Sequence, residues 1–353
     1  MVSIATRKRF WFAAICGLAV LFYTVKHADL QKLSQHLGDI NPWWGMAVLA
    51  SAFVSYACVA GVLHRLLIGI GLPLSFSSCF KISLLSTVLN YLMSVAGLSG
   101  VAAKVYLLSR EKIPPSNTLS VSIIHGFLTN TIAVLFIYLG FFYLYSQHQM
   151  VGRSKEAGIL ILLVAFLMTW MTIQTIVHEA FRKKVWCISL RVVLGLCARI
   201  GKQHWIDRER ADAFFENFNG SLNMIMKNSA ILLLPATLAL LDWITMFLCL
   251  KFAFVAINYP VDSQTLMVGF SIGLFMGLFS LTPASIGLME GGMAGAFYLM
   301  GLDYNYALLG TLIYRVSYYF LPIVTSVFFY KKFFPPTVDR AKQPKNNGQI
   351  PAE

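Results

Sequence analysis

Long apolar runs constrain this chain more than any other feature of its sequence. The run from Asn117 to Ser146 contains no Asp, Glu, Lys or Arg. The run from about Ile231 to Ile257 contains two charged residues, Asp242 and Lys251. Roughly 20 apolar residues suffice for a helix to span a bilayer. Because 58% of the residues are hydrophobic and only 12% are charged, the sequence predicts an all-α, polytopic helical membrane protein with about 6–8 membrane segments.

The positive charge is placed as expected for a membrane protein. The formal net charge is +13, but the basic residues lie between the apolar runs, which the positive-inside rule explains better than nucleic-acid binding does. Basic groups occur at Arg7–Arg9, at eight Lys or Arg between Arg182 and Arg210, and at Lys331-Lys332. These groups predict that both termini lie in the cytoplasm.

The chain is predicted to form one integral membrane domain. Residues 1–332 comprise a first half (1–177), a basic cytoplasmic loop (178–228) and a second half (229–332), and the polar residues 333–353 are expected to be a disordered cytoplasmic tail. Within the loop, Phe214, Phe215, Phe218 and Leu222 share one helical face, which predicts a helix resting on the membrane surface. Continuous helices are expected at about residues 10–25, 44–64, 117–146, 157–176, 231–257 and 306–330.

Two apolar segments, 79–108 and 265–302, are interrupted by small and polar residues. If the basic groups are all cytoplasmic, the first segment must begin and end inside and the second must begin and end outside. Each segment is therefore predicted to be a broken or re-entrant hairpin, and the two enter from opposite faces as in an inverted repeat. A pair of true crossings fits the second segment equally well.

The interruptions contain Pro283, Gly287 and Gly291 in one segment and Gly97 and Gly100 in the other. Non-helical backbone at membrane depth is tolerated only where protein buries it or a water-filled cavity adjoins it. The breaks therefore predict a sheltered polar chamber near the middle of the bilayer.

These motifs resemble the bacterial and archaeal membrane proteins that share the transmembrane region of lysylphosphatidylglycerol synthase, also called flippase-like domain proteins. The resemblance covers roughly residues 5–332 and is most specific at the Pro283…Gly287…Glu290 block with Arg315 downstream. Two departures concern the breaks: Ala96 stands where the family usually has proline, and Ala284-Ser285 stands where it usually has Gly-Gly. No counterpart of the soluble synthase domain is expected after Lys332. The resemblance implies movement of a polar-headed lipid between leaflets, or an accessory role in envelope lipid handling.

Ionisable residues inside membrane segments mark candidate transport paths, and five are candidates here: Lys104, His125, Asp242, Glu290 and Arg315. Glu290 and Arg315 are expected either to pair and lock helices or to bind a headgroup, with Arg315 on a phosphate. Asp242 is expected to have a cation partner, most plausibly Arg315. Lys104 is either a lysine that reaches towards the interface or a phosphate contact, and His125 is either a packing residue or a proton relay.

No catalytic constellation, phosphate loop or metal cluster is visible in the sequence, so neither cofactor nor metal is expected. The leading hypothesis is a flippase-like protein that handles a phospholipid or an isoprenoid-linked lipid. The alternatives are a membrane-embedded lipid-modifying enzyme and a non-transporting scaffold for envelope lipid or glycan enzymes. Membrane lipids are the expected partners, and the scaffold alternative adds such enzymes.

Overall fold

The fold is taken from a computed structural model, which describes residues 4–26, 29–93, 98–146, 153–199, 207–227, 230–278 and 282–333. Gly97 and the tail after residue 333 lie outside the described residues. The helices are α1 (Ile4–Lys26), α2 (Leu30–Gly38), α3 (Pro42–Gly69), α4 (Phe76–Met93), α5 (Leu98–Arg110), α6 (Pro115–Ser146), α7 (Arg153–Val177), α8 (Glu179–Arg199), α9 (Arg208–Lys227), α10 (Ala230–Ala256), α11 (Ser263–Leu278), α12 (Leu288–Leu299), α13 (Tyr304–Arg315) and α14 (Leu321–Phe333).

The described residues are mostly helical and contain no strand, which confirms the predicted all-α class. Among them, five helical stretches are long and apolar enough to cross a membrane, and Ile15–Lys26 and Ser263–Gly277 are shorter apolar helices. The five long stretches are Pro42–Gly69, Pro115–Ser146, Gly158–Val177, Ala230–Ala256 and Tyr304–Phe328. The chain is therefore a multi-pass helical membrane protein.

Two series of helices correspond in order and length. α3, α4, α5 and α6 have 28, 18, 13 and 32 residues, and α10, α11, α12 and the continuous run α13–α14 follow the same order with 27, 16, 12 and 30. Each member of the second series begins 187 to 190 residues after its counterpart. In both series the two short helices pack against each other. We call α4–α5 the first hairpin and α11–α12, with residues 282–287, the second hairpin.

The long helices α3 and α10 run antiparallel along their whole length. As residue numbers increase along α3, the numbers of their partners on α10 decrease. The contacting pairs are Asn41 with Ala256, Val48 with Cys249, Ser55 with Asp242, Gly61 with Leu238 and Gly69 with Ile231. Counterpart helices of an inverted repeat must point in opposite directions. Ser55 and Asp242 form the central pair of this contact.

The basic segment between the halves differs from the expected loop. Much of 182–210 is the helix α8, because residues 179–199 contain no proline and only one glycine to stop a helix. Arg182 is buried and donates hydrogen bonds to the side chains of Asn219 and Asn223 and to the carbonyl oxygen of Ile176. α8 is thereby tied to both α7 and α9.

The predicted surface helix forms as α9, but its apolar face packs against protein. Phe218 and Leu222 belong to a buried cluster formed with α3, α4, α5 and α6, and the Ser120 hydroxyl of α6 donates to the Phe218 carbonyl oxygen at 3.0 Å. The periodicity identified the helix and its buried face but could not show what covers that face.

Candidate functional site

A cavity of about 460 Å³ lies where the two hairpins meet. The first hairpin, the second hairpin and helices α3, α6 and α10 all contribute to its wall. Its polar lining residues are Ser86, Thr87, Asn90, Tyr91, Lys104, Ser122, His125, Thr129, Asp242, Ser285, Tyr318 and Tyr319. An apolar cavity of this size would stay dry, whereas hydroxyl, amide and charged groups can hold water or a polar ligand.

Lys104 and His125 face this cavity from α5 and α6. Among the described residues, neither the Lys104 ammonium nor the buried His125 Nδ1 has a hydrogen-bond partner. The Lys104 side chain adjoins the cavity from α5, and both expectations for it stay predictions. Its ammonium is therefore available to a polar ligand.

Asp242 lines the same cavity from the middle of α10, with a side chain that is 5% exposed. The expected ion pair with Arg315 does not form. Asp242 instead accepts a hydrogen bond from the Ser55 hydroxyl, whose oxygen lies 3.0 Å from the Tyr318 hydroxyl. The prediction fails because Arg315 donates instead to Glu290 and to the Ala284 carbonyl oxygen of the second hairpin.

Glu290 and Arg315 form a buried ion pair, with Arg315 Nε donating to Glu290 Oε1 at 2.7 Å. Arg315 Nη2 also donates to the Ala284 carbonyl oxygen at 2.6 Å, and the guanidinium lies 3.7 Å from the centre of the Tyr319 ring. The second carboxylate oxygen of Glu290 accepts from the Gly287 amide at 2.7 Å. The pair satisfies the polar groups of the second break and does not line the cavity, so its geometry favours the interpretation that it locks helices.

The second break is backbone in a left-handed conformation. A single 3-10 turn comprises Pro283–Ser285; within it Ala284 and Ser285 have φ of 51° and 57°, and Gly287 after it has φ of 86°. Positive φ disfavours side chains with a Cβ, so the Gly-Gly usual in the family matches what this backbone requires. A Cβ on Gly287 would also lie 2.2 Å from the Gly17 carbonyl oxygen of α1. α1 therefore shelters this break, as the glycine pattern predicts.

The first break is closed by an amide instead of an ion pair. The Asn90 side-chain oxygen accepts from the Ser99 hydroxyl at 3.0 Å and from the Gly100 amide at 3.3 Å. A Cβ on Gly100 would lie 3.1 Å from Asn90, so the glycine permits this close approach. Gly291, predicted as part of the second break, lies within α12 beside Thr24 of α1.

The predicted residues fall into two groups. Lys104, His125 and Asp242 meet at the cavity, and Glu290 and Arg315 meet behind it. Sequence reasoning missed Ser55, Asn90 and Tyr318. An asparagine just before a break could have indicated Asn90, but nothing in the sequence pairs Ser55 with Asp242.

The architecture and the cavity define a class of protein: a multi-pass helical membrane protein with two broken hairpins around a charged internal cavity. Residues 10–326 match the family described as the lysylphosphatidylglycerol synthase transmembrane region. The match includes both hairpins and all five candidate site residues, and the chain belongs to this family.

A similar curated protein is a "UPF0104 membrane protein" of Methanothermobacter thermautotrophicus. The two sequences are 20% identical over 212 residues, which is 56% of this chain and 59% of that relative. The similarity thus spans about three fifths of the relative's length.

Proposed function

We propose that this protein moves a polar-headed lipid, either a phospholipid or an isoprenoid-linked lipid, between the leaflets of the bacterial inner membrane. The observation that carries the proposal is the cavity between the hairpins, into which Lys104, His125 and Asp242 project from three different helices. A lipid headgroup needs a polar path because a bare charged group is very costly to bury in hydrocarbon. The family resemblance supports the same function.

The lengths of the hairpin helices support re-entrant geometry. At 1.5 Å per residue, α4, α5, α11 and α12 are about 27, 20, 24 and 18 Å long, so all four are shorter than the hydrocarbon core of about 30 Å, α4 only slightly. In this proposal each hairpin enters the membrane and returns to the same face, and the polar ends of both meet near the midplane.

Transport is tested with purified protein in liposomes that contain acyl-labelled phosphatidylglycerol and are treated with an impermeant quencher. We expect the wild-type protein to expose the inner-leaflet label and Lys104→Met to slow this by about 10-fold or more, because hydrogen bonds to charged groups contribute about 1.5–3 kcal/mol. Lys32→Met is the matched control, since it removes an exposed lysine on α2 far along the chain from the cavity lining. Quenching at the rate of empty vesicles for phospholipid and isoprenoid-linked probes alike would contradict the proposal.

The orientation is tested separately with single cysteines in a variant that lacks the six native ones. A thiol near Lys155 is expected to react with an impermeant reagent from outside, and one near His204 only after the cells are opened. The reverse pattern would place both termini outside and contradict the proposed orientation.

A further inference from the structure

We propose that Asp242 is a proton-binding site and that protons drive the lipid movement, an inference that rests on the proposed function. Asp242 lies in the middle of a candidate membrane span and is buried. Among the described residues, no Lys, Arg or His lies within ion-pair distance of its carboxylate. A buried carboxylate without a cation is costly to keep charged, so its charge must be compensated by a ligand, an ion or a proton.

The hydrogen bonds around Asp242 have a definite direction. Ser55 has one hydroxyl proton and donates it to Asp242, so the neighbouring Tyr318 hydroxyl must donate to the Ser55 oxygen. The chain from Tyr318 through Ser55 thus ends on the carboxylate and stabilises it in part. It supplies no formal positive charge, and the remaining compensation has to come from the cavity side.

The position of Asp242 suits a site that both faces of the membrane can reach in turn. Asp242 and Ser55 form the central contact between the antiparallel helices α3 and α10, and Asp242 lies about 18 Å from the start and about 21 Å from the end of α10. Substrate and coupling-ion sites of inverted-repeat transporters lie at the repeat interface near the midplane. A proton bound there can enter from one side and leave to the other without crossing hydrocarbon by itself.

The cavity connects this proton to the lipid. The titratable groups that line the cavity with Asp242 are Tyr91, Lys104, His125, Tyr318 and Tyr319, and Cys58 is close enough to interact with Asp242 electrostatically. Of these, Lys104 is the one that is cationic at neutral pH, and it is free to bind an anionic headgroup. A phosphate bound at Lys104 brings negative charge into the cavity that Asp242 also lines, so headgroup binding makes the charged carboxylate less favourable and promotes uptake of a proton from cavity water by a carboxylate oxygen. By linkage, proton binding favours headgroup binding to the same extent. No covalent bond of the lipid changes.

The result is symport of one proton with one monoanionic lipid, which is electroneutral. A gradient of about one pH unit can then accumulate labelled phosphatidylglycerol about 10-fold at most, in the direction of proton flow. We expect wild-type protein in liposomes to show several-fold accumulation that nigericin abolishes and that a potassium–valinomycin potential leaves unchanged. Asp242→Asn is expected to exchange lipid between leaflets without accumulation, and Asp262→Asn, at an exposed helix cap, to behave as the wild-type protein does.

The outcomes separate this inference from the proposed function. Lipid exchange that is equally fast and equally symmetric with and without the pH gradient would leave transport standing and overturn the proton site. Accumulation driven by a sodium gradient would assign the carboxylate to sodium and overturn it as well. Absence of any lipid movement would remove both proposals. If Asp242→Asn does not fold, Ser55→Ala provides the second test: the pH at which transport is half-maximal should rise, because the carboxylate loses its donor, and an unchanged pH profile would contradict the site.

Discussion

The two hairpins share a fold but satisfy their breaks in opposite ways. In the second hairpin, Glu290 and Arg315 pair with each other, and they also bind a glycine amide and a backbone carbonyl oxygen. Helix α1 packs against this break. In the first hairpin the neutral side-chain amide of Asn90 accepts hydrogen bonds from Ser99 and Gly100 at the start of α5. Lys104, further along α5, faces the cavity. A buried charge that is fully paired supports the structure, whereas one without a protein partner is available to a ligand. The comparison therefore assigns anchoring to the second hairpin and ligand contact to the first.

The largest expected effect comes from breaking the anchor. Arg315→Met leaves the Glu290 carboxylate buried without a cation, which costs about 3–5 kcal/mol for a pair of this kind. Glu290→Met with Arg315→Met should recover much of this loss, since neither charge is then left alone. Unfolding of the purified variants in mixed detergent measures both effects. A double variant as unstable as Arg315→Met would show that the pair contributes more than mutual compensation.

The corresponding change in the first hairpin should be milder. Asn90→Ala removes one neutral acceptor shared by Ser99 and Gly100 and is expected to cost about 1–2 kcal/mol. Ser99→Ala removes the hydroxyl donor alone and is the matched control for one of the two hydrogen bonds. The same detergent unfolding experiment compares the two. A loss from Asn90→Ala as large as that from Arg315→Met would erase the distinction between the hairpins.

The sequence predicted the hairpins because their signals are local. A proline, glycines and a change in polarity interrupt apolar runs, and the breaks follow from the need to satisfy backbone groups in hydrocarbon. Glu290 and Arg315 were correctly considered as a pair because few partners exist for a charge inside the membrane. The partner of Asp242 could not be predicted in this way, since it depends on the rotation and crossing of α3 and α10, which residues far apart in the chain decide.

A smaller effect tests the left-handed backbone at Ala284 in the second hairpin. Ala284 has φ of 51°, a conformation that costs an L-residue about 1–2 kcal/mol and glycine much less. After about 0.5–1 kcal/mol for the flexibility of glycine in the unfolded chain, Ala284→Gly should stabilise the protein by up to about 1 kcal/mol. Ala294→Gly, in the regular helix α12, should destabilise it by about that amount. Destabilisation by both variants would mean that the left-handed turn is not strained.

The smallest expected effect concerns the pH dependence of stability, because the first helices of the two hairpins are capped by different groups. In the second hairpin, α11 begins after Asp262, whose side chain accepts hydrogen bonds from the Gln264 and Thr265 amides at 3.0 and 2.9 Å. In the first hairpin, α4 begins after Ser75, whose hydroxyl accepts a hydrogen bond from the Ser78 amide at 3.3 Å. Partial burial raises the pKa of Asp262, but the hydrogen bonds from Thr265 and Gln264 outweigh it and hold the pKa below its ordinary value.

A carboxyl whose pKa is lowered by folding stabilises the protein above its unfolded pKa of about 4, and this contribution is lost as the pH falls through the folded value. Asp262→Asn keeps the cap but cannot titrate, so it should flatten the acid limb of the stability profile slightly. Ser75→Ala should lower stability by about 1 kcal/mol, the usual value of a helix cap, equally at all pH values. If the stability of the wild-type protein and of Asp262→Asn depends equally on pH, the charge of Asp262 adds nothing to its helix cap. The caps of α4 and α11 would then not differ in this respect.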